Sequence, residues 1–229
     1  MTELSFPLPS ATVAMLLADA RLPSGGHAHS AGLEPALRAG LPVRDVPDFL
    51  LARARSTGVV EAGTAVVARH LALVEPVGLE SVVHAWSART PSNVLRDAAR
   101  HLGRGYLRLA GHLWPSSTLL AELASWPRPA PRAIVLGVIA AESGMDPRDL
   151  VRLAIYDETA SAAAALLKLE PRDPAEVTGW VVHVCTVLDD AVEDIAALVD
   201  PAAIPAAGAP QAEGWAQAHA LLSQRLFRA

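Results

Sequence analysis

Apolar residues recur at steps of three and four along most of this 229-residue chain. Within residues 91–114, Val94, Leu95, Ala98, Ala99, Leu102, Tyr106, Leu109 and Leu113 form one stripe, the pattern of an amphipathic helix. The same period predicts ten helices, over 12–20, 32–39, 46–73, 79–88, 91–114, 117–126, 132–143, 147–168, 174–199 and 211–227. The 46–73 element contains Gly58 and Gly63 and is expected to break near one of them. Two runs, Ser81-Val82-Val83-His84 and residues 181–187, carry enough β-branching to favour extension. The second follows a strong helix start and is read as a buried helix.

Helix starts are marked by acids beside prolines. Asp146-Pro147-Arg148-Asp149 and Asp173-Pro174-Ala175-Glu176 place a capping carboxylate before Pro, and Asp45-Val46-Pro47-Asp48 is a variant of the same signal. The carboxylate accepts from orphan amides, Pro lacks a donor that the first turn does not need, and the second acid faces the positive end of the helix dipole. Thr90-Pro91 is a fourth start. The expected fold is therefore all-α, a single-domain helical bundle of about ten helices. Residues 1–200 are expected to form the core. Residues 201–210, with Pro201, Pro205 and Pro210 among alanines, are expected to be a surface linker, and 211–229 a last helix with a tail.

Composition narrows the class. Hydrophobic residues make up 52%, but 45 of the residues are Ala, and without them the share is about 32%, an ordinary globular value. Charge-free stretches such as 4–18 fall short of the ~18–20 residues a spanning helix needs, so no membrane segment is expected. No Lys or Arg precedes Arg21, which argues against a signal peptide, and the single Cys185 suits a reducing compartment; a cytoplasmic location is expected. A net charge of −5 disfavours nucleic acid as a partner. Lys168 is the only lysine and has no glycines before it, which excludes a phosphate-binding loop. No G-x-G-x-x-G follows a strand-like run, so a dinucleotide site is not supported.

The most unusual segment is Leu22-Pro23-Ser24-Gly25-Gly26-His27-Ala28-His29-Ser30-Ala31-Gly32-Leu33-Glu34. Gly25, Gly26 and Gly32 permit positive φ or close backbone approach. Ser30 is placed to cap a helix whose first buried residue is Leu33. The plain reading is a tight turn between helices. A hydrolase reading would take Ser24 or Ser30 as nucleophile with His29 as base, but spacing supplies neither an orienting group nor an oxyanion site.

The same segment resembles a known family. Leu17-Ala18-Asp19, Leu22-Pro23, Gly25-Gly26, His29-Ser30 and Gly32-Leu33-Glu34 resemble the signature of UreF, the urease accessory protein. Leu102-Gly103-Arg104-Gly105-Tyr106-Leu107-Arg108-Leu109 is similar to that family's central helix. Tyr156-Asp157 and the Ala-rich run to Lys168 resemble its long helix, and Arg225-Leu226-Phe227-Arg228 its chain end. His27 stands where an aromatic residue is usual, Arg172-Asp173-Pro174 replaces a Leu-Gly-Gln run, and of an Arg-His-Glu group near the end only His219 is present.

The resemblance implies an all-α protein that is not an enzyme and binds no resident cofactor. It implies a homodimer acting as an adaptor between a UreD/UreH-type accessory protein and the nickel-carrying GTPase UreG, while nickel in transit enters apo-urease. His29, Ser30, Glu34, Arg104, Arg225, Leu226, Phe227 and Arg228 become candidate partner contacts, on a loop shaped by Pro23, Gly25, Gly26 and Gly32. In a nickel pathway His27-x-His29 is a candidate metal pair, because imidazole suits nickel, with Glu34 as a further ligand. His183 and Cys185 lie about 200° apart on a helix, cannot chelate one ion, and are expected in the core.

One charge pattern remains. Arg96, Arg100, Arg104 and Arg108 repeat at four-residue steps, where like charges oppose one another, and Asp97 reaches only Arg100. Such a stripe implies a solvated face, an acidic protein partner, or carboxylates elsewhere in the fold. Asp189, Asp190, Glu193 and Asp194 are the internal candidates. Gly103 and Gly105 flank Arg104 and permit a neighbouring helix to approach.

Overall fold

The computed structural model describes residues 8–19, 21–22, 29–220 and 226–227. Among these the chain forms twelve α-helices and no strand. They are α1 (Ser10–Ala18), α2 (Leu33–Arg38), α3 (Val46–Arg53), α4 (Val59–Val74), α5 (Leu79–Arg89), α6 (Asn93–Leu113), α7 (Thr118–Ser125), α8 (Arg132–Glu142), α9 (Pro147–Leu169), α10 (Pro174–Leu188), α11 (Val192–Ala196) and α12 (Pro210–Ala220).

Helices α4, α8 and α9 make the centre. Every residue of α8 from Arg132 to Ala140 is buried, so this short helix is enclosed on all sides. Its apposition to α4 depends on Gly137: a Cβ there would lie 2.4 Å from the Ala65 carbonyl oxygen. Helix α6 lies against the start of α8 in the same way, since a Cβ on Gly103 would lie 2.0 Å from the Ala130 carbonyl oxygen. Close approach beside Arg104 is thus real, but it belongs to Gly103, while the Arg104 side chain is exposed. Helices α10 and α11 cover α9, α5 covers α4, and α12 spans α2 and α6. The buried side chains form one hydrophobic cluster drawn from α1 through α11.

Two predicted helices are each divided in two, which raises ten to twelve. The 46–73 element passes through a π-helical turn at Ala54–Gly58 between α3 and α4. The 174–199 element stops at Leu188, passes through the 3₁₀ turn Asp189–Ala191 and resumes as α11. That interruption keeps Val192 and Ile195 in the core while Asp189 and Glu193 reach Arg152 and Arg148 of α9. The last helix does not run to Phe227: Leu226 and Phe227 form a bend whose amides serve a side chain instead of a helix.

The Asp146 and Asp173 caps accept from the amides of Arg148 and Ala175, each with Pro at the first helical position. Asp45 makes no cap bond: the 3₁₀ turn Val43–Asp45 feeds directly into α3, and its carboxylate faces Arg44. Helix α6 starts at Asn93 under Ser92 instead of at Pro91, because the Thr90 and Pro91 carbonyls accept from the Arg96 guanidinium. Residues 201–210 run along the surface, as expected, but are anchored to the bundle. Ile204 is buried, Arg89 donates to the carbonyls of Ala202 and Ile204, and Pro205 packs at Gly63 of α4. Among the described residues one stretch, Val43–Val74, is long and apolar enough by composition to cross a membrane, but 67% of its apolar 18-residue window is buried within the fold. It is the core rod of the bundle.

Candidate functional site

The turn before α2 is built by two residues with positive φ, Ala31 (51°) and Gly32 (83°). A glycine at the second carries that conformation without a Cβ penalty. The turn sinks Ser30 and Leu33 and lets the Ser30 hydroxyl accept from the Glu34 amide at 3.3 Å. Ser30 is fully buried and engaged as a cap, a poor placement for a nucleophile. His29 is buried nearby, its ring 5.9 Å from that of His101 on α6.

Glu34, only 1% exposed, joins the two ends of the chain. Its Oε1 accepts from the Leu226 amide at 2.9 Å and from Arg38, and its Oε2 from the Phe227 amide at 2.8 Å. His219 of α12 brings Nε2 to 3.2 Å of the same carboxylate. Burial would raise the Glu34 pKa, but the two amides, His219 and Arg38 outweigh it and hold the carboxyl below its ordinary value. Phe227 is therefore drawn into its own chain, 4% exposed and with Lys168 5.4 Å from its ring centre, whereas Leu226 remains 62% exposed. Of the other predicted site residues, Pro23, Gly25, Gly26, His27, Arg225 and Arg228 lie outside the described residues.

Behind this latch lies a cavity of about 370 Å³ between α6 and α9, reached by His29, Gly32 and Phe227. Its floor is charged. Arg132 donates to Asp157 at 2.6 Å and Glu158 at 2.8 Å and lies 3.4 Å from Glu61. Arg53, at the entry to the π turn, donates to Glu158, and the Trp86 indole donates to Glu61 at 2.6 Å. Burial acts on all three carboxyls. It dominates at Glu61 and Asp157, whose pKa values rise, and loses at Glu158, which faces two guanidiniums and falls to about 2. Two cations against three carboxyls leave a surplus negative charge that the raised pair can neutralise with a proton.

Pattern reading missed this network. Its signal was lone charges inside apolar runs: Glu61 in Val59-Val60-Glu61-Ala62, and Arg132 ahead of Ala133-Ile134-Val135. Among the described residues no three His, Cys, Asp or Glu side chains stand where they could hold one ion. His183 is exposed, contrary to the expected core position, while Cys185 is half-buried and burial raises its pKa. The acidic group at 189–194 does not meet the arginine stripe, since Asp189 and Glu193 are bonded to Arg152 and Arg148 at 2.8 and 2.6 Å.

The residues that meet at Glu34 are those of the two terminal motifs, 192 positions apart in sequence. Between them, the UreF family model matches residues 43–185, more than half of the chain. The chain belongs to the UreF family. It is 38% identical to the urease accessory protein UreF of Mycobacterium marinum over 198 residues, which covers 83% of this chain and 90% of that relative. The Mycobacterium bovis protein of the same name is 36% identical over 204 residues, and that of Mycolicibacterium vanbaalenii 34% over 200, each covering 85% of this chain and 91% of the relative.

Proposed function

We propose that this UreF-family chain is a non-enzymatic adaptor in urease maturation. It joins a UreD/UreH-type accessory protein to the GTPase UreG in the cytoplasm, as a homodimer, while nickel passes as cargo into apo-urease. The observation that carries the reading is the convergence of both terminal motifs on Glu34, in a chain whose curated relatives are urease accessory proteins. Fixing Phe227 leaves Leu226 exposed beside α2, so one surface joins the two ends of the chain. A rigid composite surface of that kind suits recognition, because its ordering cost is met before a partner arrives. Nickel is cargo in this reading, which needs no resident ion site.

The test is reconstitution. The purified chain is mixed with a UreD/UreH-type protein and UreG, with and without GTP and nickel, and complexes are sized by gel filtration with light scattering. The expected result is a ternary complex that forms only when this chain is present. Assembly of the other two proteins to the same extent without it, or failure of this chain to bind either, overturns the proposal.

A further inference from the structure

The arginine-bearing face of α6 carries a charge imbalance that no other described residue corrects. Arg96, Arg100 and Arg104 of α6 and Arg128 from the α7–α8 connection surround one recess, walled otherwise by Asn93, Asp97 and Pro129. Four guanidiniums thus face one carboxylate, on a chain whose net charge is −5. Arg100 is sunk into the surface, its side chain 17% exposed and its guanidinium 5.6 Å from the Trp86 ring centre. The only carboxylate it meets among the described residues is Asp97, at 3.8 Å. Burial pulls the Arg100 pKa down; Asp97 opposes this, and the charges on Arg128 and Arg96 add to it. Arg96 is already committed to the Thr90 and Pro91 carbonyls, and Arg104 to the His101 ring at 3.0 Å. Among the described residues, no carboxylate lies within 4 Å of Arg104, Arg108 or Arg128. Of the internal acids that could have served them, Asp189 and Glu193 are held by Arg152 and Arg148, and neither Asp190 nor Asp194 pairs with an arginine of the stripe.

We propose that this recess, continued by Arg108, is a docking site for a carboxylate-rich segment of a protein partner. The stripe from Arg96 to Arg108 runs about 18 Å along the helix, with an arginine about every 6 Å of its axis. One phosphate group would leave most of that length unused, whereas a segment with repeating Asp or Glu residues fills it. Planar guanidinium forks match carboxylates in two-point contacts. Nucleic acid fits less well: no Phe, Trp or Tyr is among the described residues that line the recess, and Trp86 beneath Arg100 is fully buried and offers no face for a base to stack on. The proposal stands whether or not the partner belongs to the urease pathway, so its failure is separable from failure of the adaptor reading.

The test uses the full chain and a fluorescein-labelled ten-residue polyglutamate as the probe, followed by anisotropy at 50 and 200 mM salt. Arg104→Glu with Arg128→Glu reverses two exposed charges, and Arg104→Gln with Arg128→Gln removes them more gently. Arg44→Glu, an exposed arginine on the α3 side of the fold, is the control for general charge. Melting curves by circular dichroism establish that each variant is folded. The expected result is binding that weakens with salt, a loss of at least tenfold in both double variants, and a change within twofold for Arg44→Glu. No binding by the parent protein at 50 mM salt overturns the proposal. So does an equal loss in Arg44→Glu, which would make the attraction diffuse. Tighter binding of tripolyphosphate or of a ten-residue oligothymidylate than of polyglutamate also overturns it, in favour of a phosphate site.

Discussion

Replacing Arg132 with Met keeps a similar side-chain volume at the centre of the bundle and removes one positive charge. Arg132 is 5% exposed and is, among the described residues, the one cation that contacts Glu61, Asp157 and Glu158 together. Without it Glu158 retains Arg53, but Asp157 loses its 2.6 Å ion pair and Glu61 keeps only the Trp86 indole among these polar contacts. Removing one partner of a buried ion pair costs about 3–5 kcal/mol, because the remaining charge stays desolvated. For a chain of this size each kcal/mol lowers Tm by about 2–4 °C, so a fall of about 6–20 °C is expected. The loss should be partly recovered in acid. Carboxyls whose folded pKa lies above the unfolded value bind protons more tightly when folded, so stability rises as pH falls through that folded value. Asp157 and Glu61 are already raised by burial and should rise further once Arg132 is gone. Urea unfolding followed at 222 nm, at pH 7.5 and 5.5, measures both effects. A loss under about 1 kcal/mol at pH 7.5, or a gap between variant and parent that does not narrow at pH 5.5, would refute the reasoning.

Glu34→Gln should loosen the chain end and cost about 2 kcal/mol, the scale of hydrogen bonds to a charged acceptor, and hydrogen exchange at the Leu226 and Phe227 amides should accelerate. Unchanged protection at both amides would show that the latch does not depend on the carboxylate. Gly137→Ala should force α4 and α8 apart, because the new methyl group would meet the Ala65 carbonyl at 2.4 Å and the Ala68 Cβ at 2.7 Å; a lowered urea midpoint by about 1–3 kcal/mol is expected, and an unchanged one would refute the close-packing argument. The folded Glu158 pKa of about 2 lies below its ordinary value of 4.5, so its stabilisation is complete above pH 4.5 and lost as pH falls towards 2. Glu158→Gln should flatten that acid limb of the stability profile, and an acid limb as steep as the parent's would assign it to other groups.

Much of the architecture was legible along the chain because helix periodicity and helix starts are local properties. The α6 stripe, the Asp146 and Asp173 caps and the helical reading of 181–187 each depend on residues within a few positions of one another. The β-branched run became helical because Val181 and Val184, with Val177 before them, are buried where α10 packs against α9 and α3, a packing gain larger than a modest strand preference. The motif around Ser30 was legible for the same reason, since the hydroxyl caps an amide four residues away.

What needed the tertiary structure was every partnership between distant residues. Local pattern gives Glu34 an acid's place in a first helical turn; that it binds the amides of residues 226 and 227 depends on α2, α9 and α12 bringing the chain end home. It also could not show that Phe227 lies inward while Leu226 stays exposed, because the bend answers to a carboxylate 192 residues away. The buried set of Arg53, Glu61, Arg132, Asp157 and Glu158 is likewise assembled from four separate segments. Sequence alone determined which chain segments are largely helical and that they carry isolated charges, while the breaks at 54–58 and 189–191 were set by packing. Only packing decided which charges meet, because a charge buried in a low-dielectric interior is stabilised by whatever opposite charge the fold brings within a few ångströms, at any separation along the chain.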